Sequence, residues 1–297
     1  MTRLLGLLAS AVAMLTMAIA PASAVQYGEP DGNRHPWVGL MYAFEDGVPL
    51  WRCTGSLLDL DEDGLGETFL TAGHCVGENP DTGQEPDEVR IWFDEGPLNP
   101  TQYPLLPLPR PACGNYQGFP CTGYDAIGTP VEHPGWTGYL TLPDTHDVGI
   151  VVLDQPVELP EYGQLAPVGY LDTLATQRGL QDVNFTVVGY GLQSVKPRES
   201  AERIRMLGTV HLINLRSALT DGFNLHYSSN PGVGQGGSGG TCFGDSGGPV
   251  IRNDPQLGEV IVGVNSFVLN SNCKGSGFAY RVDTAPVRDF IEDAATD

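Results

Sequence analysis

Lysine is almost absent from this sequence. Among its 297 residues, lysine stands only at Lys196 and Lys274, and 36 acidic residues outnumber 15 basic ones, so the formal net charge is −21. A surface of this sign repels the phosphates of nucleic acids and the headgroups of anionic membranes. We therefore expect no nucleic-acid partner.

Long apolar runs are also scarce, and one stands at the N-terminus. Residues 4–19 form a mostly apolar run, which follows Arg3 and precedes three small residues, Ala-Ser-Ala, at 22–24. This order is typical of a secretory signal peptide, and the run is short for a membrane anchor. We expect residues 1–24 to be a signal peptide, and the remaining protein to be secreted, extracellular, monomeric and free of the membrane.

No two cysteines stand in a C-x-x-C pair, which argues against a zinc site, and we expect no metal. In an exported protein, six cysteines indicate up to three disulfides, and their number alone allows fifteen pairings. The six are Cys53, Cys75, Cys113, Cys121, Cys242 and Cys273.

The composition favours an all-β protein. Glycine occurs 39 times and proline 24 times, while 41% of the residues are hydrophobic. That combination suits many turns between short strands around a real core.

The chemistry is concentrated at residues 240–249, which read GTCFGDSGGP. Glycines at this density let backbone N–H groups approach a ligand, so those of Gly244 and Ser246 could hold an oxyanion beside the Ser246 hydroxyl. The stretch also fits the G-x-S-x-G elbow of α/β-hydrolases, which needs a histidine after the serine. None of the six histidines follows Ser246, so the elbow interpretation fails.

These residues resemble the trypsin/chymotrypsin-like serine endopeptidases, of a secreted bacterial type. Three motifs carry the resemblance: GDSGGP at 244–249, TAGHC at 71–75 and DVGIVVL at 147–153. The resemblance implies a catalytic triad of His74, Asp147 and Ser246, an oxyanion hole at Gly244 and Ser246, peptide or protein substrates and no cofactor.

The resemblance also implies the architecture. We expect two antiparallel Greek-key β-barrels and a C-terminal helix over Thr284–Ala294. Residues 25–158 would form the barrel that carries His74 and Asp147. Residues 159–297 would form the barrel that carries Ser246, together with the helix.

Substrate preference follows from the residues that the family uses around its specificity pocket. The pocket floor, six residues before the nucleophile, corresponds to Gly240, which carries no charge. Ser266, Val268 and Gly277 match the remaining substrate-binding positions, and Val268 replaces a glycine. We expect cleavage after small or medium uncharged side chains.

The family pattern pairs Cys53 with Cys75, and Cys273 is the natural partner of Cys242. Cys113 and Cys121 are close in sequence, and we expect them to bridge a surface loop.

Removal of residues 1–24 would expose Val25 as a new N-terminus. In the family, such an apolar residue inserts its α-ammonium beside the acid before the nucleophile, here Asp245. Gln26 and Tyr27 depart from the usual Ile/Val-Val-Gly-Gly start. The alternative is a loose tail, with Asp245 paired internally.

The acidic loop Asp59–Glu67 begins like an EF-hand calcium loop. Position twelve, where calcium requires a bidentate glutamate, is Leu70. A calcium site and a solvated hairpin tip both remain open. His35 lies far from the motifs, and we expect it at the surface or in a turn.

Two other functions fit the same fold. One is a non-catalytic binding module, and the other is an esterase that does not cleave peptides. The presence of His74, Asp147 and Ser246 together favours a catalyst over the binding module.

Overall fold

The computed structural model describes residues 25–96, 123–174, 183–196, 204–231 and 238–296. A short strand, β1 (Glu29–Pro30), opens this part of the chain. Two β-barrels and one C-terminal helix follow.

The first barrel closes through six antiparallel strands. They are β2 (Val38–Glu45), β3 (Val48–Leu58), β4 (Gly66–Thr71), β5 (Glu88–Trp92), β6 (Ala126–Glu132) and β7 (Gly149–Val157). Around the barrel their order is β2-β3-β4-β7-β6-β5. Because β7 lies beside β4, the chain segment before β7 is brought next to the segment that follows β4.

The second barrel is also a ring of six antiparallel strands. They are β8 (Asn184–Gly189), β9 (Met206–Asn214), β10 (Asn224–Pro231), β12 (Pro249–Asp254), β13 (Gly258–Val268) and β14 (Gly275–Arg281). The order is β9-β8-β12-β13-β14-β10, and pairing of β10 with β9 closes the ring. Strand β1 pairs with β9, and a short strand β11 (Ser238–Gly239) pairs with β10.

Apolar side chains fill both barrels and the contact between them. Phe69 and Trp92 are fully buried in the first barrel, and Val187 and Tyr227 are fully buried in the second. The first core continues into Ile251 and other residues of the second barrel. Burial of each such side chain contributes about 1.5–3 kcal/mol, so the packing between barrels holds the cleft at their junction in place.

Two helices complete the described fold, along with a short 3-10 turn at Leu171–Thr173. Helix α1 is a single turn at Gly73–Val76, and α2 spans Ala285–Ala294. Thr284 occupies the N-cap of α2, although its side chain makes no capping hydrogen bond, and Val287 and Ile291 are buried. The predicted all-β fold with two barrels and a C-terminal helix is confirmed.

The prediction places His35 at the surface or in a turn. It lies at the start of a turn, where its carbonyl accepts the Val38 N–H at 3.0 Å, but it is not at the surface. Its side chain is buried, with 2% of its surface exposed, and its Nδ1 contacts the carboxylate of Asp31. The buried carboxylate of Asp31 compensates the free-energy cost of burying the polar His35 ring. Sequence motifs do not reveal Asp31 as the partner of His35.

Within the described residues, no helix has the length and apolar character needed to span a membrane. The expected bridge between Cys113 and Cys121 lies outside the described residues.

Candidate active site

His74 lies in helix α1, directly after strand β4. The disulfide Cys53–Cys75 joins the neighbouring residue to strand β3, with 6.1 Å between the two Cα atoms. The indole of Trp51 donates a hydrogen bond to the Cys75 carbonyl at 2.9 Å. The backbone that carries His74 is therefore fixed from two sides, while 31% of the imidazole side chain stays exposed.

Asp147 precedes strand β7 and is completely buried. Its carboxylate accepts hydrogen bonds from the His74 backbone N–H at 2.8 Å and from His74 Nδ1 at 2.9 Å. The hydroxyl of Ser266 donates a further hydrogen bond to Asp147 Oδ2. Three donors converge on one carboxylate, so the charge on Asp147 is compensated within the protein.

The two members of this pair shift each other's pKa in opposite directions. Burial alone would raise the pKa of Asp147, but the charge and hydrogen bonds of His74, with the Ser266 hydroxyl, hold it below its ordinary value. Burial alone would lower the pKa of His74, but Asp147 raises it above its ordinary value. An ionised Asp147 fixes the neutral His74 with its proton on Nδ1, which leaves Nε2 as an acceptor.

The loop that carries Ser246 is held by the first barrel. The hydroxyl of Thr54 donates to the Gly244 carbonyl at 2.8 Å, and the Thr54 N–H donates to the Ser246 carbonyl at 2.8 Å. The disulfide Cys242–Cys273 ties the start of the loop to the segment between β13 and β14. Strand β3 therefore positions both the histidine and the serine sides of the cleft.

Ser246 and His74 line the same cleft, which has a volume of about 220 Å³. No hydrogen bond joins the Ser246 hydroxyl to His74 in the described part of the chain. In substrate-free enzymes such contacts are often long and tighten on binding. Within the same described residues, the backbone N–H groups of Gly244 and Ser246 donate no hydrogen bond. Both are therefore free to donate to an oxyanion.

Arg52 lies beneath the glycine of this loop. Arg52 is 9% exposed, and its guanidinium donates to the Tyr190 carbonyl at 3.1 Å. A Cβ at Gly244 would come within 2.1 Å of Arg52 Nη1, and Gly244 has a φ of +98°. Contact and backbone conformation both require glycine at position 244.

Asp245 is completely buried behind Ser246. Its carboxylate accepts the N–H groups of Cys242 at 2.9 Å and Gly191 at 2.8 Å. Burial raises the pKa of Asp245 to about 7, and these two hydrogen bonds and the charge of Arg52 offset only part of that rise. Asp245 is therefore a buried acid, next to Ser246, whose burial is only partly compensated by hydrogen bonds and charge.

The residues predicted to bind substrate divide into two groups. Ser266 and Val268 line the cleft beside Ser246. Gly240 and Gly277 do not line it. Gly240 instead pairs with Gln26, to whose carbonyl it donates at 3.1 Å.

Sequence reasoning missed two residues of β3: Thr54, which bonds to the loop, and Arg52, which lies against Gly244. It also missed Thr241 and Asn265, which line the cleft. Thr241 and Asn265 each stand next to a motif residue in the sequence, and this position was the one feature that could have indicated them. Arg52 and Thr54 act across the junction between barrels, which the sequence does not reveal.

The acidic loop forms the tip between β3 and β4. Carboxylate oxygens of Asp59, Asp61 and Asp63 lie within 4.8 Å of one another. The carboxylate of Asp59 already accepts the N–H of Gly64 at 2.9 Å, and that of Asp63 accepts the N–H of Leu65 at 2.9 Å. A calcium site and a solvated hairpin tip are both compatible with these contacts.

Comparison with known proteins agrees with this geometry. The family model described as Trypsin matches residues 126–291, a range that contains Asp147 and Ser246 and that ends within α2. No curated protein sequence matches the chain. Since the match covers more than half of the sequence and the two barrels have the expected topology, the chain belongs to the Trypsin family and is a serine endopeptidase.

Proposed function

We propose that Ser246, His74 and Asp147 form the catalytic triad of a secreted endopeptidase. The observation that carries the proposal is the His74–Asp147 pair, joined at 2.8 and 2.9 Å beside a cleft that Ser246 also lines. In a Ser-His-Asp triad, a buried carboxylate holds the Nδ1 of the imidazole in this way.

In this mechanism His74 Nε2 takes the proton of the Ser246 hydroxyl as its oxygen attacks the peptide carbonyl. The imidazolium is stabilised by Asp147, which remains ionised. His74 then gives the proton to the leaving amine as the C–N bond breaks, and an acyl-enzyme remains. Water, deprotonated by His74, hydrolyses the acyl-enzyme and restores the hydroxyl.

The N–H groups of Gly244 and Ser246 are the proposed oxyanion hole. They carry no acceptor in the described structure, and the loop between them is fixed by Thr54 through the Gly244 carbonyl. Because the loop is already ordered, the donors need no rearrangement when charge develops on the carbonyl oxygen.

Substrate would bind as an extended strand along the end of β13. Ser266 and Val268 lie there and line the cleft. Among the residues that line it, no lysine, arginine, aspartate or glutamate occurs. This composition supports the preference for small or medium uncharged side chains before the scissile bond.

Val25 is the proposed N-terminus of the active protein. It is fully buried, and the next residue, Gln26, pairs with Gly240 at the start of the nucleophile loop. Buried Asp245, with its raised pKa, would gain the missing compensation from the α-ammonium of Val25. Intact-mass analysis of the secreted, active protein tests this, and an active form that begins several residues before Val25 contradicts it.

Secretion, a monomeric state and the absence of nucleic-acid or membrane partners remain part of the proposal, as does the division into domains at residues 158 and 159. The strongly acidic composition supports the absence of nucleic-acid partners.

The test is digestion of a mixed peptide pool by the wild-type protein and by Ser246→Ala. We expect the variant to lose about 10⁴- to 10⁶-fold in kcat. Ser194→Ala, which removes a hydroxyl bonded to the Lys196 carbonyl, is the matched control and should cleave normally. Equal cleavage by Ser246→Ala and the wild type would exclude Ser246 as nucleophile.

A further inference from the structure

Three buried polar side chains form a hydrogen-bonded chain at the inner end of the cleft. The hydroxyl of Tyr227 contacts Thr241 Oγ1 at 2.8 Å and donates to Asn265 Oδ1 at 2.9 Å. Tyr227, Asn265 and Thr241 are exposed by 0%, 2% and 4%, respectively. Since a tyrosine hydroxyl has one hydrogen, which goes to Asn265, the hydroxyl of Thr241 must donate to Tyr227.

This chain leaves two complementary groups unused. The Nδ2 of Asn265 is buried and has no hydrogen-bond partner in the described structure. The Thr241 hydroxyl donates its hydrogen to Tyr227, and its oxygen can still accept a hydrogen bond. A buried donor without a partner is rare in native proteins and calls for a ligand or a water.

Both residues face the place where a substrate side chain enters. Asn265 and Thr241 line the cleft of about 220 Å³ together with His74 and Ser246. An N–H donor and an oxygen acceptor thus belong to two residues that line one cleft and bond to the same Tyr227 hydroxyl.

Tyr227 fills the space next to Gly277, a residue that does not line the cleft. A Cβ at Gly277 would come within 2.3 Å of the Tyr227 ring, so the ring occupies the space that opens behind this glycine. A Cβ at Gly240 would come within 2.0 Å of the Ser229 hydroxyl, which is itself bonded to the Cys273 carbonyl. The cleft itself, with a volume of about 220 Å³, suits a side chain of modest length.

The charges around the cleft distinguish which kinds of substrate side chain it can bind. A substrate carboxylate would face the lone pairs of Thr241, no lining cation, and the nearby buried acids Asp147 and Asp245. A substrate ammonium would find no lining carboxylate. An aliphatic side chain would leave Asn265 Nδ2 without a partner, which costs free energy.

We propose that Asn265 and Thr241 select a carboxamide side chain, asparagine or glutamine, immediately before the scissile bond. The carboxamide oxygen accepts from Asn265 Nδ2, and its NH₂ group donates to Thr241 Oγ1. This assignment rests on the proposed function of Ser246 and narrows the expected class of uncharged side chains.

The test uses one peptide scaffold in which only the residue before the scissile bond varies among Gln, Asn, Glu, Met, Leu and Lys. With wild-type protein we expect kcat/KM for Gln or Asn to exceed that for the near-isosteric Met and Glu by about 10- to 100-fold. A preference for any other member of the panel overturns the assignment. This comparison does not depend on any variant.

Asn265→Leu removes the donor and should erase the preference by lowering kcat/KM for Gln and Asn about 10- to 100-fold, with Met and Leu changed little. Thr241→Val should act in the same direction. The matched control is Asn253→Asp, at an exposed position of β12, which should leave the preference intact. Equal losses on every substrate would indicate a structural role and overturn the assignment.

Labelling of Ser246 by a fluorophosphonate tests the proposed nucleophile separately from the proposed carboxamide preference. Full labelling with no carboxamide preference refutes the selectivity and leaves the proposed nucleophile standing. No labelling and no cleavage refute both.

Discussion

Asp147 is the residue on which the electrostatics of the cleft depend. Its carboxylate is buried and accepts hydrogen bonds from His74 Nδ1 and from the Ser266 hydroxyl. Burial alone would lower the pKa of His74, but the charge of Asp147 raises it. A protonated His74 cannot accept the hydrogen of Ser246. We therefore expect activity to be absent at low pH and to rise as His74 loses its proton.

Asp147→Asn should change both the rate and its pH dependence. We expect kcat to fall about 10⁴-fold, because the amide no longer holds the required tautomer. The inflection of kcat/KM should move to lower pH, because the charge that raises the pKa of His74 is gone. Measurement of kcat/KM from pH 4 to 10 checks both effects, with Asp154→Asn on the exposed side of β7 as control.

Arg52 lies against Gly244 of the loop that carries Ser246, and it does not line the cleft of Thr241 and Asn265. Arg52→Met keeps most of the volume but removes the hydrogen bond to the Tyr190 carbonyl and the positive charge near Asp245. We expect a loss of about 1–3 kcal/mol in the free energy of unfolding and a fall in kcat greater than any change in KM. The control is Arg216→Met, an exposed arginine paired with Asp172. Unchanged kcat in a folded Arg52→Met protein would show that the guanidinium does not position the loop.

At the level of single residues, the sequence revealed those that stand inside contiguous motifs. Asp147 and Ser246 are examples, because chemistry and neighbouring residues identify them together. Thr241 and Asn265 flank such residues, yet their importance arises from one tyrosine on β10 that reaches both. Such a contact between distant strands has no local sequence signal.

The element that organises the cleft is strand β3. It supplies Thr54 to the nucleophile loop and Cys53 to the turn that carries His74. The hairpin from β3 to β4 and its disulfide were predictable, because family motifs mark both ends. The contact of β3 with a loop of the other barrel was not, since it depends on how the two barrels pack.

The disulfide Cys53–Cys75 provides a test at this scale. It closes a loop with a sequence separation of 22 residues, and a double substitution to alanine should cost about 3 kcal/mol on a chain-entropy estimate. Because α1 carries His74, kcat should fall as well, with little change in KM. Denaturant unfolding and steady-state kinetics measure the two effects. A stability loss with fully retained kcat would mean that the disulfide does not position His74.

At the scale of the whole molecule, a buried arginine joins the segment before β2 to both barrels. Arg205 precedes β9, and its guanidinium bonds to the Asp31 carboxylate at 3.1 Å and to the carbonyls of Val38 and Phe93 at 2.9 and 3.0 Å. Asp31 also holds the buried His35. The sequence predicted the two barrels from their motifs, but residues of this network carry no motif and were missed.

This network should make stability depend on acid pH. Burial alone would raise the pKa of Asp31, but His35 and Arg205 hold it below its ordinary value of 3.8. The stabilisation is therefore complete above that ordinary value and is lost as pH falls through the lower pKa of the folded state.

Asp31→Asn should lower the free energy of unfolding by about 3–5 kcal/mol at neutral pH, because it leaves a buried cation without its partner. The variant should also show a weaker fall in stability below about pH 4. Denaturant midpoints measured from pH 2 to 7 check this, with Asp172→Asn, at a half-exposed ion pair, as control. Parallel pH profiles for wild type and Asp31→Asn would contradict the assignment.

The central claim is that Ser246, activated by His74 and Asp147, is the nucleophile. The most direct measurement is the rate and site of fluorophosphonate modification, followed by intact-mass and peptide mapping at several pH values. We expect one adduct per chain, on Ser246, formed faster as pH rises through the raised pKa of His74 and strongly slowed in His74→Ala. Modification at another residue, or an equal rate in His74→Ala, would contradict the account.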